Sequence, residues 1–303
     1  MNRRQRKHFA MIIHGARAER EDVRNLIDWV RGKGHLVEPH VTLERGDATS
    51  LAAEAARGGV DTVIAVGGDG TVNEVVNGLD GFDTPIGIIP VGTANDFATQ
   101  AGIPLDVDHA MDVILRTKPS RIDTASLNGR RFVNVSTGGV GAEATAETPA
   151  NAKESLGPVA YAITGVRKLA DFEPYRASFR GRDFSYDGEF LMFAVGLTRA
   201  SGGGTLVTPN ASVTDGLLDV CIVESMGRAE FARLALKVKR GEHLGEPGVH
   251  YAQLASVVVD AREPLSVNVD GETSDARRLD YVSRASDLWI HVAHLPGADF
   301  ESD

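Results

Sequence analysis

The sequence predicts an α/β protein with an N-terminal doubly wound parallel sheet and a mostly antiparallel β-sandwich as a second domain. Up to residue 121, short apolar runs alternate with stretches whose apolar residues recur at helical spacing, which is typical of βαβ units. Beyond residue 121, strand-like runs are separated by Asn-Gly and Asp-Gly pairs, which favour hairpins between antiparallel strands. A chain of 303 residues is long enough for two such domains.

The first half of the chain is predicted to contain the parallel sheet and its helices. Apolar runs place strands at residues 9–13, 35–43, 60–66 and 86–90. Helical spacing predicts helices at 19–33, from Asp47 to a stop at Gly58 and Gly59, and at 71–79, 94–101 and 107–117. Ligands of such sheets bind beyond the carboxyl ends of the strands, so the loops after the strands are the candidate site.

The second half is predicted to be β-rich. Strands are expected at residues 132–136, 176–179, 190–197, 218–223, 256–259 and 265–269, and helices at 155–170 and 228–238. The expected turns are Asn128-Gly129, Asp187-Gly188 and Asp270-Gly271. We predict domains at residues 1–122 and 123–285, with a final strand at 288–292 returning residues 286–303 to the first domain.

Composition excludes several classes of protein. A net charge of −10 argues against a nucleic-acid partner, since binding to a phosphate backbone depends on clustered Lys and Arg. No apolar run approaches the roughly 20 residues of a membrane span, and the basic start is not followed by the apolar region of an export signal. Cys221 is the only cysteine, so a cytoplasmic protein without an intrachain disulfide is expected. The basic residues 3–7 fit a solvated tail or a contact with anionic lipid.

Two glycine turns follow neighbouring predicted strands. Residues 67–70 read Gly-Gly-Asp-Gly and residues 92–95 read Gly-Thr-Ala-Asn, and each turn leads into a predicted helix. Glycines allow a ligand to approach the backbone closely, and the free N–H groups of a helix start attract anions. Neither turn has the Walker pattern or the dinucleotide-binding spacing. We therefore predict a phosphate site shared by the two turns.

These turns also resemble a known family. Residues 67–74, Gly-Gly-Asp-Gly-Thr-Val-Asn-Glu, and 92–97, Gly-Thr-Ala-Asn-Asp-Phe, resemble the diacylglycerol kinase catalytic domain. Later stretches resemble its bacterial lipid kinase branch, YegS, at residues 200–204, 209–211, 214–218 and 270–272. The resemblance implies a β-sandwich with a lipid-facing cleft and transfer of the γ-phosphate of ATP to a hydroxyl of a membrane lipid. The acceptor stays open among diacylglycerol, phosphatidylglycerol and sphingoid alcohols.

The resemblance also implies roles for individual residues. Nucleotide contacts fall on Thr42, Gly68, Asp69, Gly70, Thr71, Val72, Asn73, Glu74 and Thr93. A second magnesium position, which calcium can also suit, falls on Asp215 and the carbonyls of Leu218 and Val220, because hard cations bind oxygen ligands. Glu272 is the implied proton acceptor. Asp69 is a second catalytic candidate, as a magnesium bridge or as the group that orients the substrate hydroxyl.

Each of these acidic residues also has a simpler interpretation. Asp69 and Asp96 are placed where carboxylates cap helices, and Asp215 precedes a glycine as turn aspartates do. Glu272 follows an Asp-Gly turn and can be a plain exposed glutamate. The glycines at 202–204 form either a flexible loop or a flap that closes over substrate.

The sequence departs from the family at its first strand, and other functions compete. The strand ends in His14-Gly15 where many members have Asn-Pro, so cationic help for the phosphates would come from Arg17 or Arg20. A NAD kinase shares the Gly-Gly-Asp-Gly turn, but residues 92–97 look like the lipid kinases. A non-catalytic lipid-binding regulator is the alternative from another class, against which the intact acidic residues speak.

Overall fold

The computed structural model describes residues 6–139, 174–202, 204–270 and 272–294. Its first half contains a parallel sheet in the order β2-β1-β3-β4. The strands are β1 (His8–Ile13), β2 (Leu36–Val41), β3 (Thr62–Gly67) and β4 (Ile86–Pro90). All of β3 and β4 is buried, as expected for strands covered by helices on both faces. The strand order reverses between β1 and β3, which is where ligands of doubly wound sheets bind.

Five helices accompany this sheet, as the apolar spacing predicts. They are α1 (Glu21–Gly32), α2 (Asp47–Arg57), α3 (Asp69–Gly78), α4 (Asp96–Gln100) and α5 (Val107–Arg116). Two helix starts differ from the prediction. Helix α3 begins within the glycine turn, and α4 begins only at Asp96, because the preceding Asn95 is left-handed with φ of 51°.

The second half is antiparallel, as predicted. Its strands are β5 (Ser120–Leu127), β6 (Arg130–Phe132), β7 (Val135–Gly139), β8 (Tyr175–Gly181), β9 (Phe184–Gly196), β10 (Leu218–Glu224), β11 (Val249–Leu254), β12 (Ser256–Val269) and β13 (Glu272–Ile290). One helix, α6 (Arg228–Arg240), covers β10 through Phe231 and Leu234. The predicted helix at 155–170 lies outside the described residues.

Three details of the second half differ from the prediction. The Asp187-Gly188 turn is wrong, since both residues lie inside β9 and the hairpin bends at Asp183, whose φ is 59°. The strand predicted at 132–136 is two strands, β6 and β7. Strand β11 was missed because His250 and Gln253 interrupt its apolar residues, and only Leu254 of the strand is fully buried. The Asn128-Gly129 turn is confirmed, with positive φ at both residues.

The long strand β13 joins the two halves into one continuous sheet. It pairs with β12 and β5 along most of its length, and its last residue Ile290 pairs in parallel with Ile86 of β4. The next residue continues the contact, because the His291 N–H donates to the Ile86 carbonyl at 3.0 Å. The domain boundaries themselves stay a prediction.

Candidate active site

The two glycine turns touch one another at the carboxyl edge of the parallel sheet. A Cβ added at Gly92 would lie 2.4 Å from Gly68 Cα, and one added at Gly68 would lie 3.1 Å from Gly92 Cα. Packing alone therefore accounts for glycine at both positions. Gly70 differs, since a Cβ there meets nothing within 4 Å. The open space beside Gly70 fits the approach of a ligand to the backbone.

Asp69 links the two turns through its carboxylate. Its Oδ1 accepts from the Phe97 N–H at 3.0 Å, and its Oδ2 accepts from the Asp96 N–H at 3.2 Å. The carboxylate thus caps α4, the neighbouring helix, rather than its own. The start of α3 has no side-chain cap, so its first N–H groups are not satisfied in that way.

Three polar side chains of α3 tie the helix to three separate loops. Glu74 accepts from the N–H groups of Gly46 and Ala48 through its two carboxylate oxygens, each at 3.1 Å, and so caps the start of α2. Asn77 bonds the backbone of Arg131 in both directions, at 2.9 and 3.0 Å. Asn73 donates to the Asp270 carboxylate. The side chains of Asn73 and Glu74 are therefore engaged with the protein itself.

Asp270 is a buried carboxylate at the end of β12. Its Oδ2 accepts from Asn73 and from the Val133 N–H at 3.1 Å, whereas its Oδ1 is buried without a hydrogen-bond partner among the described residues. Burial raises the pKa of Asp270 to about 7, with the negative charge of Asp69 acting in the same direction and the hydrogen bonds opposing them. This residue connects α3 to the strand that carries Glu272.

Glu272 lies at the start of β13, held by two arginines. Its Oε2 is 2.6 Å from Arg45 Nη2 and forms a second ion pair with Arg130 Nη1. Burial alone would raise the pKa of Glu272, but the Arg130 and Arg45 guanidiniums hold it below its usual range. The carboxylate is therefore ionised at neutral pH. The side chain of Glu272 is 20% exposed. Sequence reasoning did not find either arginine, because Arg45 on a loop and Arg130 at the start of β6 are far from Glu272 in the chain.

The remaining predicted nucleotide contacts lie at the same edge of the sheet. Thr42 follows β2, and its hydroxyl accepts from the Gly15 N–H at 3.2 Å. Thr93 is exposed in the second glycine turn. Arg20 forms an ion pair with Asp22 at 2.6 Å, while Arg17 lies in a short 3-10 helix beyond β1. The structure thus brings Thr42, Thr93 and the first glycine turn to one edge.

The predicted second magnesium position is less well supported by geometry. Asp215 is exposed and its Oδ1 accepts from the Leu217 N–H at 2.9 Å. Val220 lies in β10, which pairs with β9 and β11, so its carbonyl faces a neighbouring strand. Among the residues that the structure describes, no three His, Cys, Asp or Glu side chains are grouped to hold a metal. The metal position at Asp215, Leu218 and Val220 therefore stays a prediction.

A second carboxylate near Asp215 was missed by the sequence analysis. Asp219 is fully buried, and it accepts hydrogen bonds from Tyr251 and from Gln253 at 3.3 Å. Burial raises its pKa to about 6, with the hydrogen bonds acting in the opposite direction. The available signal was an aspartate inside the otherwise apolar strand 218–223.

The loop after β9 is anchored to α4. Gln100 exchanges two hydrogen bonds with the backbone of Ala200, at 2.7 and 2.8 Å. Ser201 and Thr205 then bond each other in a small bridge with lengths of 2.9 and 3.1 Å. Gly203 lies outside the described residues. The predicted flap therefore begins at an anchor on the same helix that Asp69 caps.

Comparisons with known proteins agree with this arrangement. The family model for the diacylglycerol kinase catalytic domain matches residues 8–127. The model for the YegS C-terminal NAD kinase beta sandwich-like domain matches residues 135–280. No helix in the described parts of the chain has both the length and the apolar character needed to cross a membrane.

Individual relatives match over nearly the whole chain. A protein of Xanthomonas campestris pv. campestris (strain 8004) named "Probable lipid kinase YegS-like" is 37% identical over 296 residues, which cover 94% of this chain and 96% of the relative. The "Diacylglycerol kinase" of Bacillus subtilis (strain 168) is 37% identical over 270 residues, covering 87% and 89%. A crystal structure of a diacylglycerol kinase from Bacillus anthracis str. Sterne shares the fold, with a TM-score of 0.73, 23% identity and coverage of 94% and 97%.

Proposed function

Because this chain belongs to the diacylglycerol kinase family, in its YegS-like lipid kinase branch, we propose that it transfers the γ-phosphate of ATP to a hydroxyl of a membrane lipid. The acceptor is a diacylglycerol- or phosphatidylglycerol-like lipid presented at the bilayer surface. The protein acts in the cytoplasm and binds the inner membrane face transiently. Its acid-rich composition, with a net charge of −10, supports a partner other than nucleic acid.

The observation that carries this proposal is the arrangement around α3. The helix begins at the glycine turn, where an anion meets uncapped N–H groups. Its polar side chains hold the start of α2 next to Arg45, the β6 strand that carries Arg130, and Asp270, two residues before Glu272. One helix therefore positions both a phosphate site and a carboxylate that can take a proton. Phosphoryl transfer to an alcohol requires these two functions side by side.

Nucleotide binding is assigned to the carboxyl edge of the parallel sheet. The backbone from Gly68 to Thr71 would hold the phosphates, with the hydroxyls of Thr42 and Thr93 beside it. Val72, Asn73 and Glu74 are buried or bonded to other loops, so they act by fixing the turn. ATP supplies the phosphoryl group when bound, and Mg²⁺, or Ca²⁺ in its place, would screen its charge.

Glu272 is the proposed general base. Its carboxylate accepts the proton of the lipid hydroxyl while the hydroxyl oxygen attacks the γ-phosphorus, the bond from that phosphorus to the β–γ bridging oxygen breaks, and ADP leaves with the electron pair. The ion pairs with Arg45 and Arg130 keep Glu272 ionised, so it is able to accept a proton at neutral pH. Asp69 caps α4 and positions the turn, and we keep it as a second catalytic candidate.

The test is transfer of label from γ-labelled ATP to a panel of lipids, with NAD included as a competing acceptor. Diacylglycerol, phosphatidylglycerol and a sphingoid alcohol are each presented in phosphatidylcholine vesicles with Mg²⁺. Label in a lipid supports the proposal. Label on NAD alone would indicate a NAD kinase, and label on nothing would favour a non-catalytic lipid-binding regulator.

A further inference from the structure

Arg45 and Arg130 converge on one carboxylate from different parts of the chain. Both guanidiniums lie against the same oxygen of Glu272, Arg45 at 2.6 Å. One negative charge therefore faces two positive charges, and the group carries a net charge of +1. This local excess stands out in a protein whose net charge is −10.

The backbones of both arginines are held by neighbouring hydrogen bonds, and their side chains reach Glu272 from largely exposed positions. Arg45 precedes Gly46, whose N–H is held by Glu74, and Arg130 precedes Arg131, whose backbone is held by Asn77. The arginine side chains are 71% and 52% exposed. Solvent screens the two ion pairs on the arginine side, while the Glu272 side chain is only 20% exposed, so an anion that offers each guanidinium its own oxygen can replace the carboxylate.

A cavity of about 130 Å³ opens beside the three charged groups. Its wall contains apolar side chains, Leu127, Val269 and Leu279, and no other charged side chain among the described residues. Guanidiniums pair with phosphate oxygens in two-point geometry, whereas here both guanidiniums meet one carboxylate oxygen, Oε2 of Glu272. The cavity thus presents a phosphate-selective pair next to a small apolar surface.

We propose that Arg45 and Arg130 form a phosphate-binding site that the Glu272 carboxylate occupies in the ligand-free protein. A phosphate group that enters the cavity binds both guanidiniums in place of the Glu272 carboxylate. The released carboxylate is then available to the acceptor hydroxyl. This inference rests on the proposed function for the role of Glu272, but the binding event does not depend on catalysis. Phosphate of this kind has two sources, the γ-phosphate of ATP and the headgroup of an anionic lipid.

Binding measurements on the full chain distinguish the two sources. The variants are Arg45→Gln and Arg130→Gln, with Arg277→Gln as the matched control. Arg277 lies on the same strand as Glu272, forms an ion pair with Glu263 and has a side chain that is 65% exposed. One arm compares the Kd of ATP with that of ADP by calorimetry. The other compares binding to phosphatidylcholine vesicles with and without phosphatidylglycerol.

Loss of a charged hydrogen-bonding partner should weaken the matching interaction about tenfold. If the site takes the γ-phosphate, both variants lose the preference for ATP over ADP. If it takes a headgroup, both lose the preference for phosphatidylglycerol vesicles. The control keeps both preferences. The proposal is overturned if Arg45→Gln and Arg130→Gln retain both preferences at wild-type strength.

Glu272→Gln separates this inference from the proposed function. The uncharged side chain no longer competes for the guanidiniums, so phosphate binding in the affected arm should tighten about two- to fivefold. Weaker binding in that arm would contradict displacement of the carboxylate. If the protein transfers no phosphate to any lipid but still shows these shifts in binding, the proposed kinase activity is refuted. The phosphate-binding site would then stand.

Discussion

The glycines of the two turns fall into two groups, those that packing requires and those beside which a side chain would have free space. The backbones of Gly68 and Gly92 are in close contact, and a Cβ added at Gly67 would clash with the Thr71 side chain. Gly70 has open space, so its lack of a side chain has no packing explanation. This difference makes Gly70 the residue at which a test of ligand binding is not confounded by misfolding.

Gly70→Val should weaken ATP binding at least about tenfold while the protein stays folded. The branched side chain would fill the space that a phosphate needs and would restrict the backbone. Gly227→Val is the control, since Gly227 also faces open space and lies at the start of α6. Calorimetry gives the affinity and thermal unfolding gives the Tm. Wild-type affinity in a folded Gly70→Val protein would show that this turn does not hold phosphate.

Glu272→Gln should lower the turnover of lipid phosphorylation by about 10² to 10⁴-fold, which is the usual contribution of a general base. The amide keeps the shape of the side chain but cannot take the proton. Turnover at saturating ATP and lipid is the measurement, with Asp69→Asn tested beside it. A variant that keeps more than about a third of wild-type turnover would move the base to Asp69, whose variant would then show the larger loss.

At the scale of elements, α3 is the part on which the site depends. Its start lies in the first glycine turn, and its polar side chains hold the start of α2, the β6 strand and the end of β12. Spacing in the sequence identified the helix, and the family resemblance implied nucleotide contacts for Asn73 and Glu74. Asn73 and Glu74 match the family motif, and the structure shows them bonded to other loops rather than pointing into the turn.

Glu74→Ala should destabilise the fold by about 0.5–2 kcal/mol, because it removes the acceptor for the first N–H groups of α2. Glu54→Ala is the matched control, since Glu54 is an exposed glutamate on α2 itself. Urea unfolding of both variants gives the free energies. Equal stability of Glu74→Ala and wild type, together with weaker ATP binding, would return Glu74 to a direct nucleotide contact.

At the scale of the whole molecule, β13 connects the β-rich half to the parallel sheet. The connection ends at His291, whose ring is 2% exposed and lies between the hydroxyls of Thr62 and Thr117, at 3.3 and 3.2 Å. Burial, with the positive charge of Lys7, lowers the pKa of His291 to about 4. A charged imidazolium would therefore be poorly tolerated at this junction.

This pKa predicts how stability changes with acidity. The unfolded chain takes up a proton at His291 near its ordinary pKa, about 6.5, while the folded protein does not until about pH 4. The contribution of His291 to stability is thus present above pH 6.5 and is lost as the pH falls toward 4, on the order of 2 kcal/mol between pH 7 and 5. Urea unfolding of His291→Gln should show a smaller loss over that range, with exposed His109→Gln as the control. An identical loss in His291→Gln and wild type would contradict this account.

The sequence predicted the parallel sheet well because its strands are continuous apolar runs and its helices have regular apolar spacing. It failed where local pattern carries little information. Strand β11 mixes polar and apolar residues, most of them half-buried, and the pairing of Glu272 with Arg45 and Arg130 joins segments that are far apart in the chain. The glycine turns could be identified from the sequence, and their role as a phosphate site stays a prediction, whereas the capping of α4 by Asp69 depends on tertiary contact.

The most direct test of the central claim is the mass of the lipid formed from ATP whose γ-phosphoryl oxygens carry a heavy isotope. The account predicts a lipid monophosphate that carries the labelled phosphoryl group, formed by wild type and reduced in Glu272→Gln by the factor given above. Release of labelled inorganic phosphate with no labelled lipid, from any vesicle of the panel, would contradict it.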